Sequence, residues 1–307
     1  MATIYAQDKA ANETFVSWLE TGQEKRAEDA INSFTRLRVR EDGVHRRIQE
    51  YIKISNDELD RDIQDKPIKW IDKEPDGPAA ISVPFASLPM NVYIKGPRYR
   101  VLFSRILSPN FTKDVDELRT WHMDIRQVLS DNMIKDMLYE EDNAFFTAVN
   151  FTMGGSAGAS SPINSTVTWG TVSGGITRDG WNDAMKIMPR TFARLEPTRV
   201  LINNISIHEV MKWGRDEMGG DYSQDIAKNG FSEMKLFGKE VLVTIKQDLV
   251  PDDSIYMFAD EKFLGKAFVL EDTTMSVRKD RYFIEFGAWE TIGSAIANGA
   301  AVARADF

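Results

Sequence analysis

The sequence predicts an α+β protein, and three stretches carry that prediction. Residues 66–106 form a proline-studded excursion flanked by strand-like segments, residues 113–149 contain neither glycine nor proline, and the last third passes from short helices into strands. Proline has no amide hydrogen and a fixed φ, so a dense set of prolines excludes helix. A breaker-free run with apolar residues three and four apart favours one. Helices and strands arranged in blocks, without strict alternation, give α+β.

Residues 1–60 read as charged helical pieces, from "NETFVSWLETGQEKRAEDAINSF" to "VHRRIQEYIKISNDELDRDI". Phe15, Trp18 and Leu19, followed by Ile31 and Phe34, make a narrow apolar stripe that must lie against a surface the neighbouring sequence does not supply. The excursion carries Pro67, Pro75, Pro78, Pro84, Pro89 and Pro97. Its strand candidates are "PIKWI", "NVYI" and "RYRVLFSRI", the last alternating Tyr99, Val101 and Phe103 with Arg98, Arg100 and Leu102. A two-stranded ribbon of this kind is marginal alone in water. The expectation is that another subunit covers it.

From 113 to 149 the stripe runs through Val115, Leu118, Trp121, Ile125, Val128, Leu129, Met133, Met137 and Leu138, and predicts a helix of about 50 Å. Thr112 is the expected cap, Asp114, Asp116 and Glu117 suit the positive end, Gly154 and Gly155 stop the helix, and Glu140 is where a break would fall. The Gly/Ser/Thr-rich segment that follows predicts loop with a short strand at 167–171. Then come a helix at 178–195, a strand at 198–204, a helix at 206–217, a turn at 237–239, a strand at 239–246 and a strand-rich stretch from 254. No internal repeat is evident.

Composition narrows the function classes. At 307 residues with 42% hydrophobic and 28% charged, the chain can bury a sizeable core. It lacks a secretory leader at Met1 and any apolar run long enough to cross a bilayer, so a soluble, unsecreted protein without membrane contact is expected. The absence of cysteine removes disulfides, thiolate metal sites and cysteine nucleophiles. Asp and Glu total 47 against 38 Lys and Arg, a net charge of -9, which argues against nucleic-acid affinity through counterion release.

No catalytic, cofactor-binding or metal residues are assigned. His45, His122 and His208 lack metal-ligand spacing and read as structural or surface groups. "GGSAGASS" has neither the Lys-Ser/Thr of a phosphate loop nor a nucleophile elbow. The acid pairs Glu140 with Glu141 and Asp252 with Asp253 offer a divalent-ion site or an acid–base couple, but adjacent acids in such places are usually solvated.

The order of parts resembles the major capsid protein of tailed bacteriophages, the Hong Kong 97-type fold. "SRILSPNFTKDVDELRTWHMDIRQVLSDNMIKDML" is similar to that family's passage from extended loop into spine helix, and "RVLINNISIHEVMKW" to its strand-helix step in the axial domain. "LFGKEVLVT" and the segment from "SIYMFADEKF" to Phe307 are similar to the strands that return the chain to the peripheral domain and then re-enter the axial one. The likeness covers roughly residues 60–307.

The resemblance implies an N-terminal arm at 1–60, an extended β-hairpin loop at 61–105, a peripheral domain at 106–175 and 252–283 with the long spine helix, and an α/β axial domain at 176–251 and 284–307. It implies a structural, non-enzymatic protein forming hexamers and pentamers that tile an icosahedral phage head, enclosing double-stranded DNA without binding it specifically. Assembly would take place in the bacterial cytoplasm, with a separate scaffolding protein, a portal and, in some arrangements, a decoration protein. Candidate inter-subunit contacts are Trp18, Lys69, Trp70, Lys73, Phe85, Tyr93, Lys95, Arg98 and Arg100. Lys69, Lys73 and Lys95 have no flanking motif matching the family's Lys–Asn cross-link, so none is carried over. "GSAIANGAAVARA" near the end would be interior packing, with Ala and Gly allowing close backbone approach in a crowded capsomer. The rival readings are an encapsulin-type nanocompartment shell, a hydrolase with a dimerisation hairpin, and a tail-tube or other virion protein.

Overall fold

The computed structural model describes residues 10, 13–23, 25–26, 43–73, 82–85, 91, 93, 95–120, 125–153, 167–213 and 234–307. Two β-sheets form the body. The first contains β1 (Tyr51–Lys53), β11 (Gly265–Asp280), β12 (Phe283–Ile296), β4 (Arg98–Leu107), β3 (Pro67–Asp72) and β2 (Asp60–Arg61), in that order, with β5 (Phe111–Asp114) also paired to β12. The second runs β6 (Trp169–Thr171), β13 (Val302–Asp306), β10 (Ser254–Phe258), β7 (Arg199–Asn203), β9 (Lys239–Thr244), β8 (Met234–Leu236). The α+β expectation holds.

The helices described are α1 (13–20), α2 (Val44–Ile48), α3 (Val115–Thr120), α4 (Ile125–Thr152), α5 (Arg178–Met185), α6 (Ile207–Met211) and α7 (Glu261–Leu264). Helix α4 serves both sheets. Met133 and Met137 join the core over the first sheet with Val277, Ile284 and Phe286, whereas Phe145, Phe146 and Val149 join the core over the second with Tyr256 and Phe258.

The expected helix begins at Val115, the first residue of its apolar stripe, and not directly after Thr112. Thr112 is no cap: residues 111–114 pair antiparallel with β12, and Asp114 Oδ1 accepts from the Asp116 amide at 2.8 Å to start α3. No break falls at Glu140, and stripe positions from Leu118 to Leu129 lie outside the described side chains. The helix expected over 178–195 ends at Met185 and passes into turns before Pro189. Residues 261–264 are helical within the expected strand-rich stretch, capped by Asp260, whose Oδ1 accepts from the Lys262 amide.

The turn at 237–239 holds, with Phe237 and Gly238 both at positive φ, 49° and 78°, as a two-residue hairpin between β8 and β9 requires. The ribbon is only partly as expected. Strands β3 and β4 pair from Ile68↔Leu102 to Asp72↔Arg98, whereas of "NVYI" Asn91 and Tyr93 lie outside any strand, and Val92 and Ile94 lie outside the described residues.

Sheet membership divides the chain at other points than the 283/284 boundary. Strands β6 and β10, expected with the peripheral residues, lie in the second sheet beside β13, and β12 lies in the first sheet against β11 and β4. Strand pairing between distant segments decides this, and no local pattern reports it.

The small-residue ending is an inner strand of the chain's own sheet, not only a surface for neighbours. β13 is flanked by β10 and β6, with Val302, Ala303 and Ala305 fully buried. Its alanines sit opposite large residues, Ala303↔Met257 and Ala305↔Ile255, so small side chains make room for bulky ones in one layer. Gly293 answers a similar need, because a Cβ there would come within 2.9 Å of the Leu102 carbonyl and the Phe103 ring.

The N-terminal stripe finds its surface in the last third. Phe15, Val16 and Leu19 are buried against β11, β12 and α4, and the Phe15 and Phe286 rings stack at 6.1 Å. Trp18 sits at the margin with the Arg26 guanidinium 4.8 Å from its ring, while Ile31 and Phe34 lie outside the described residues. Phe15→Ala is expected to cost about 3–5 kcal/mol in urea unfolding, and Arg26→Ala no more than about 0.5 kcal/mol.

Candidate functional site

Two regions carry chemistry beyond ordinary packing: a buried ionic cluster where α2, α4 and β12 meet, and the outward face of the proline-rich ribbon. The cluster contains an acid that the sequence assigns to solvent. Glu141 is fully buried, as is its neighbour Asp142. Both sit in register with the apolar stripe, four residues after Met137 and Leu138 and four before Phe145 and Phe146, and therefore point into the body. That register was the available signal.

Arg46 supplies the countercharge. Its Nε donates to both Glu141 oxygens at 3.0 and 3.1 Å, and its Nη2 donates to Glu290 Oε2 at 2.9 Å. Burial works against its charge, but Glu141 and Glu290 outweigh burial and hold the guanidinium protonated. Asp142 accepts from the His45 amide at 2.8 Å at the start of α2 and from Lys246 Nζ at 2.6 Å. Two register shifts in β11, around Glu271, bring the Thr273 hydroxyl to Glu290 Oε2 at 2.8 Å.

Two carboxylates share one guanidinium, so one is a poor anion. Glu290 is raised from 4.5 to about 7, by burial first and by Glu141 next, against the pull of Arg46 and Thr273. Its Oε1 has no hydrogen-bond partner among the described residues, which further disfavours ionisation.

His45 moves the other way, lowered from 6.5 to about 4, chiefly by burial. Its surroundings fit a neutral ring. Gln49 Nε2 donates to the Ala295 carbonyl, so Gln49 Oε1 accepts from His45 Nε2 at 3.1 Å, and the Tyr51 hydroxyl donates to Nδ1 at 2.6 Å. The ring stacks on Phe145 at 4.1 Å. His45 is structural, as expected; His208 is exposed, and His122 and "GGSAGASS" lie outside the described residues. The other acid pair, Asp252 and Asp253, is exposed in a turn, as expected.

The ribbon divides into a covered root and an uncovered outer part. At the root Ile68 and Val101 are fully buried, and Val101 packs with Phe103, Ile54 and Phe268. Its own chain covers that much, contrary to the expectation that a neighbour must cover the whole. Lys69 faces inward, paired with Glu58 and 5.1 Å from the Phe268 ring. Arg98 pairs with Asp72 at 2.8 Å and Arg100 with Asp62 at 3.0 Å, so both are engaged within the chain. Lys73 closes the root through its amide to the Pro97 carbonyl at 2.8 Å. Beyond it Val83, Phe85, Tyr93 and Lys95 are exposed, and Trp70 is 46% exposed opposite Arg100. The nine candidates thus split: Trp70, Phe85, Tyr93 and Lys95 project outward, and the others make contacts within the chain.

No protein-family model and no curated protein matches the sequence. Solved structures do. A chain of the virus-like particle from Pyrococcus furiosus superposes with a TM-score of 0.53 at 13% identity, covering 89% of this chain and 96% of that one. A chain of the bacteriophage PhiM1 mature capsid gives 0.56 at 9% identity, covering 86% and 87%, and one from Microbacterium phage Oxtober96 gives 0.59 at 8%, covering 87% and 90%. The fold is that of a phage capsid subunit. At such identities the likeness is of backbone path, and the buried cluster has to be read from this chain's own residues.

The opposite shifts of His45 and Glu290 predict a compensation. Between about pH 4.5 and 6.5 the folded chain holds a proton on Glu290 that the unfolded chain lacks, and lacks on His45 one that the unfolded chain holds. Glu290 alone makes stability fall as pH rises from 4.5 to 7; His45 alone makes it fall as pH drops from 6.5 to 4. The two slopes cancel. Relative to the parent, Glu290→Gln is expected to gain a slope toward stability at higher pH, and His45→Gln the opposite slope, each about 1.4 kcal/mol per pH unit in urea titrations across this window.

Proposed function

We propose that this chain is a structural shell protein, a phage major capsid protein whose copies form hexamers and pentamers and close an icosahedral head around double-stranded DNA. The observation that carries the reading is the pairing of a capsid-subunit fold with an outer ribbon bearing Phe85 and Tyr93 almost fully in solvent. Large apolar side chains on a projecting ribbon gain by burial against another surface, at roughly 25 cal/mol per Å². In a shell that surface is an adjoining copy.

In Hong Kong 97 terms, residues 61–105 act as the extended loop, α4 as the spine, the first sheet as the centre of the peripheral region and the second as that of the axial region. The role is binding and not catalysis: among the described residues the buried acids Glu141, Glu290 and Asp142 are held by Arg46 and Lys246 in a salt network. A net charge of -9 suits a wall that confines DNA without gripping it. A separate scaffolding protein and a portal complete the assembly in the host cytoplasm, with a decoration protein in some arrangements. A genome-free compartment of the encapsulin type is the second reading, favoured by the fold shared with the Pyrococcus furiosus virus-like particle.

Expression with the neighbouring structural genes is expected to yield uniform hollow or filled particles in electron microscopy. DNA protected from nuclease inside them decides for the head, and an enzyme cargo decides for the compartment. Phe85→Ser with Tyr93→Ser is expected to abolish particles while shifting unfolding free energy by no more than about 0.5 kcal/mol, because both sites are solvent-exposed in the free chain.

A further inference from the structure

Two grooves of opposite charge flank the first sheet. One, of about 770 Å³, lies at the ribbon root between Tyr99, α7 and the start of β11. Its exposed walls include Phe192 at 67% and Phe263 at 41%, and Lys73, Lys262 and Lys266 line it. Its one acid, Asp72, is engaged by Arg98, and among the described residues no ion pair holds the three lysines. The other, of about 670 Å³, lies between β4 and α4. It exposes Leu102 at 45% beside the exposed acids Asp136 and Glu140; Arg105 at its edge is 4.0 Å from Glu271, and Glu141 is turned inward to Arg46.

Strand β4 places them on opposite faces. Tyr99 shares its side with buried Val101 and Phe103, and Leu102 projects to the other. Each groove therefore combines uncovered apolar surface, Phe192 and Phe263 in one and Leu102 in the other, with one sign of charge, and the two signs are complementary. A basic groove is itself unusual on a chain of net charge -9, which makes a second copy of the chain its electrostatic match.

We infer that the lysine groove of one copy docks on the acidic groove of the next, forming a head-to-tail contact between successive subunits. Such a contact uses two different patches, leaves both in use on every interior copy, and closes a ring wherever its rotation allows. The inference deepens the shell reading by naming one of its interfaces and rests on that reading for the identity of the partner. Lys262 and Lys266 act at the rim, setting register and association rate, and Phe192, Phe263 and Leu102 supply buried area.

Charge reversal tests it on the full chain. Lys262→Glu with Lys266→Glu, and separately Asp136→Lys with Glu140→Lys, are expected to raise the concentration needed for assembly about tenfold or more in sedimentation and light scattering. The four-fold combination restores assembly, and a mixture of the two folded double variants restores the contact in alternation, which closes even-numbered rings. Circular dichroism melts should match the wild type, since all four positions are exposed. If the double variants assemble like the wild type, or neither the combination nor the mixture recovers, the groove contact is overturned. Wild-type shells with unaffected double variants overturn the contact and leave the shell reading standing. Small wild-type oligomers that the double variants dissociate and the mixture restores support the contact and remove the shell. A wild type that stays monomeric throughout overturns both.

Discussion

The Arg46 guanidinium, shared between Glu141 and Glu290, is the interaction on which the arrangement of the chain depends. A charge this far from water is tolerable only with partners in place, and removing one partner from such a group costs on the order of 3–5 kcal/mol. Its partners come from α4 and β12, elements nearly 150 residues apart in sequence, and the arginine itself comes from a third. Apolar contacts would permit many placements of α2 with similar burial. A forked donor facing two carboxylates permits few.

Other bonds draw the same short segment into place. Arg199 Nη1 donates to the Ile48 carbonyl at the end of α2 at 2.6 Å and to Glu261 at 2.5 Å, while β1 lies parallel to β11 from Tyr51↔Ala267 to Lys53↔Val269. Residues 44–54 thus touch the first sheet, the second sheet and α4 at once. Because α4 sends its early residues to one core and its late residues to the other, this segment and that helix are what make two sheets one body. The body sets off the ribbon, whose covered root ends at the Lys73–Pro97 bond and whose Phe85 and Tyr93 stand in solvent.

What the sequence discloses of this fold is its local physics. The alternation in "RYRVLFSRI" locates β4 and its buried side, the absence of breakers locates most of α4, and Phe237 with Gly238 locates a hairpin. Pairing between remote strands has no such signature, so the place of β6, β10 and β12 could not be read, and the small residues of β13 pointed to close packing without saying whose. Glu141 was misread for a related reason. Its charge argues for solvent and its register for the interior, and only the presence of Arg46, a distant residue, decides between them.

The proton arrangement in the cluster follows from the same burial. Folding strips water from an imidazole and from a carboxyl group in one place, which makes the imidazole a weaker base and the carboxyl a weaker acid, so a proton carried by His45 in the open chain is matched by one carried by Glu290 in the closed one. The body is thereby shielded from mild acid at its most charged point. Between about pH 4.5 and 6.5 the buried junction therefore adds little pH dependence to folding, because the proton it gives up at His45 is matched by the one it takes up at Glu290.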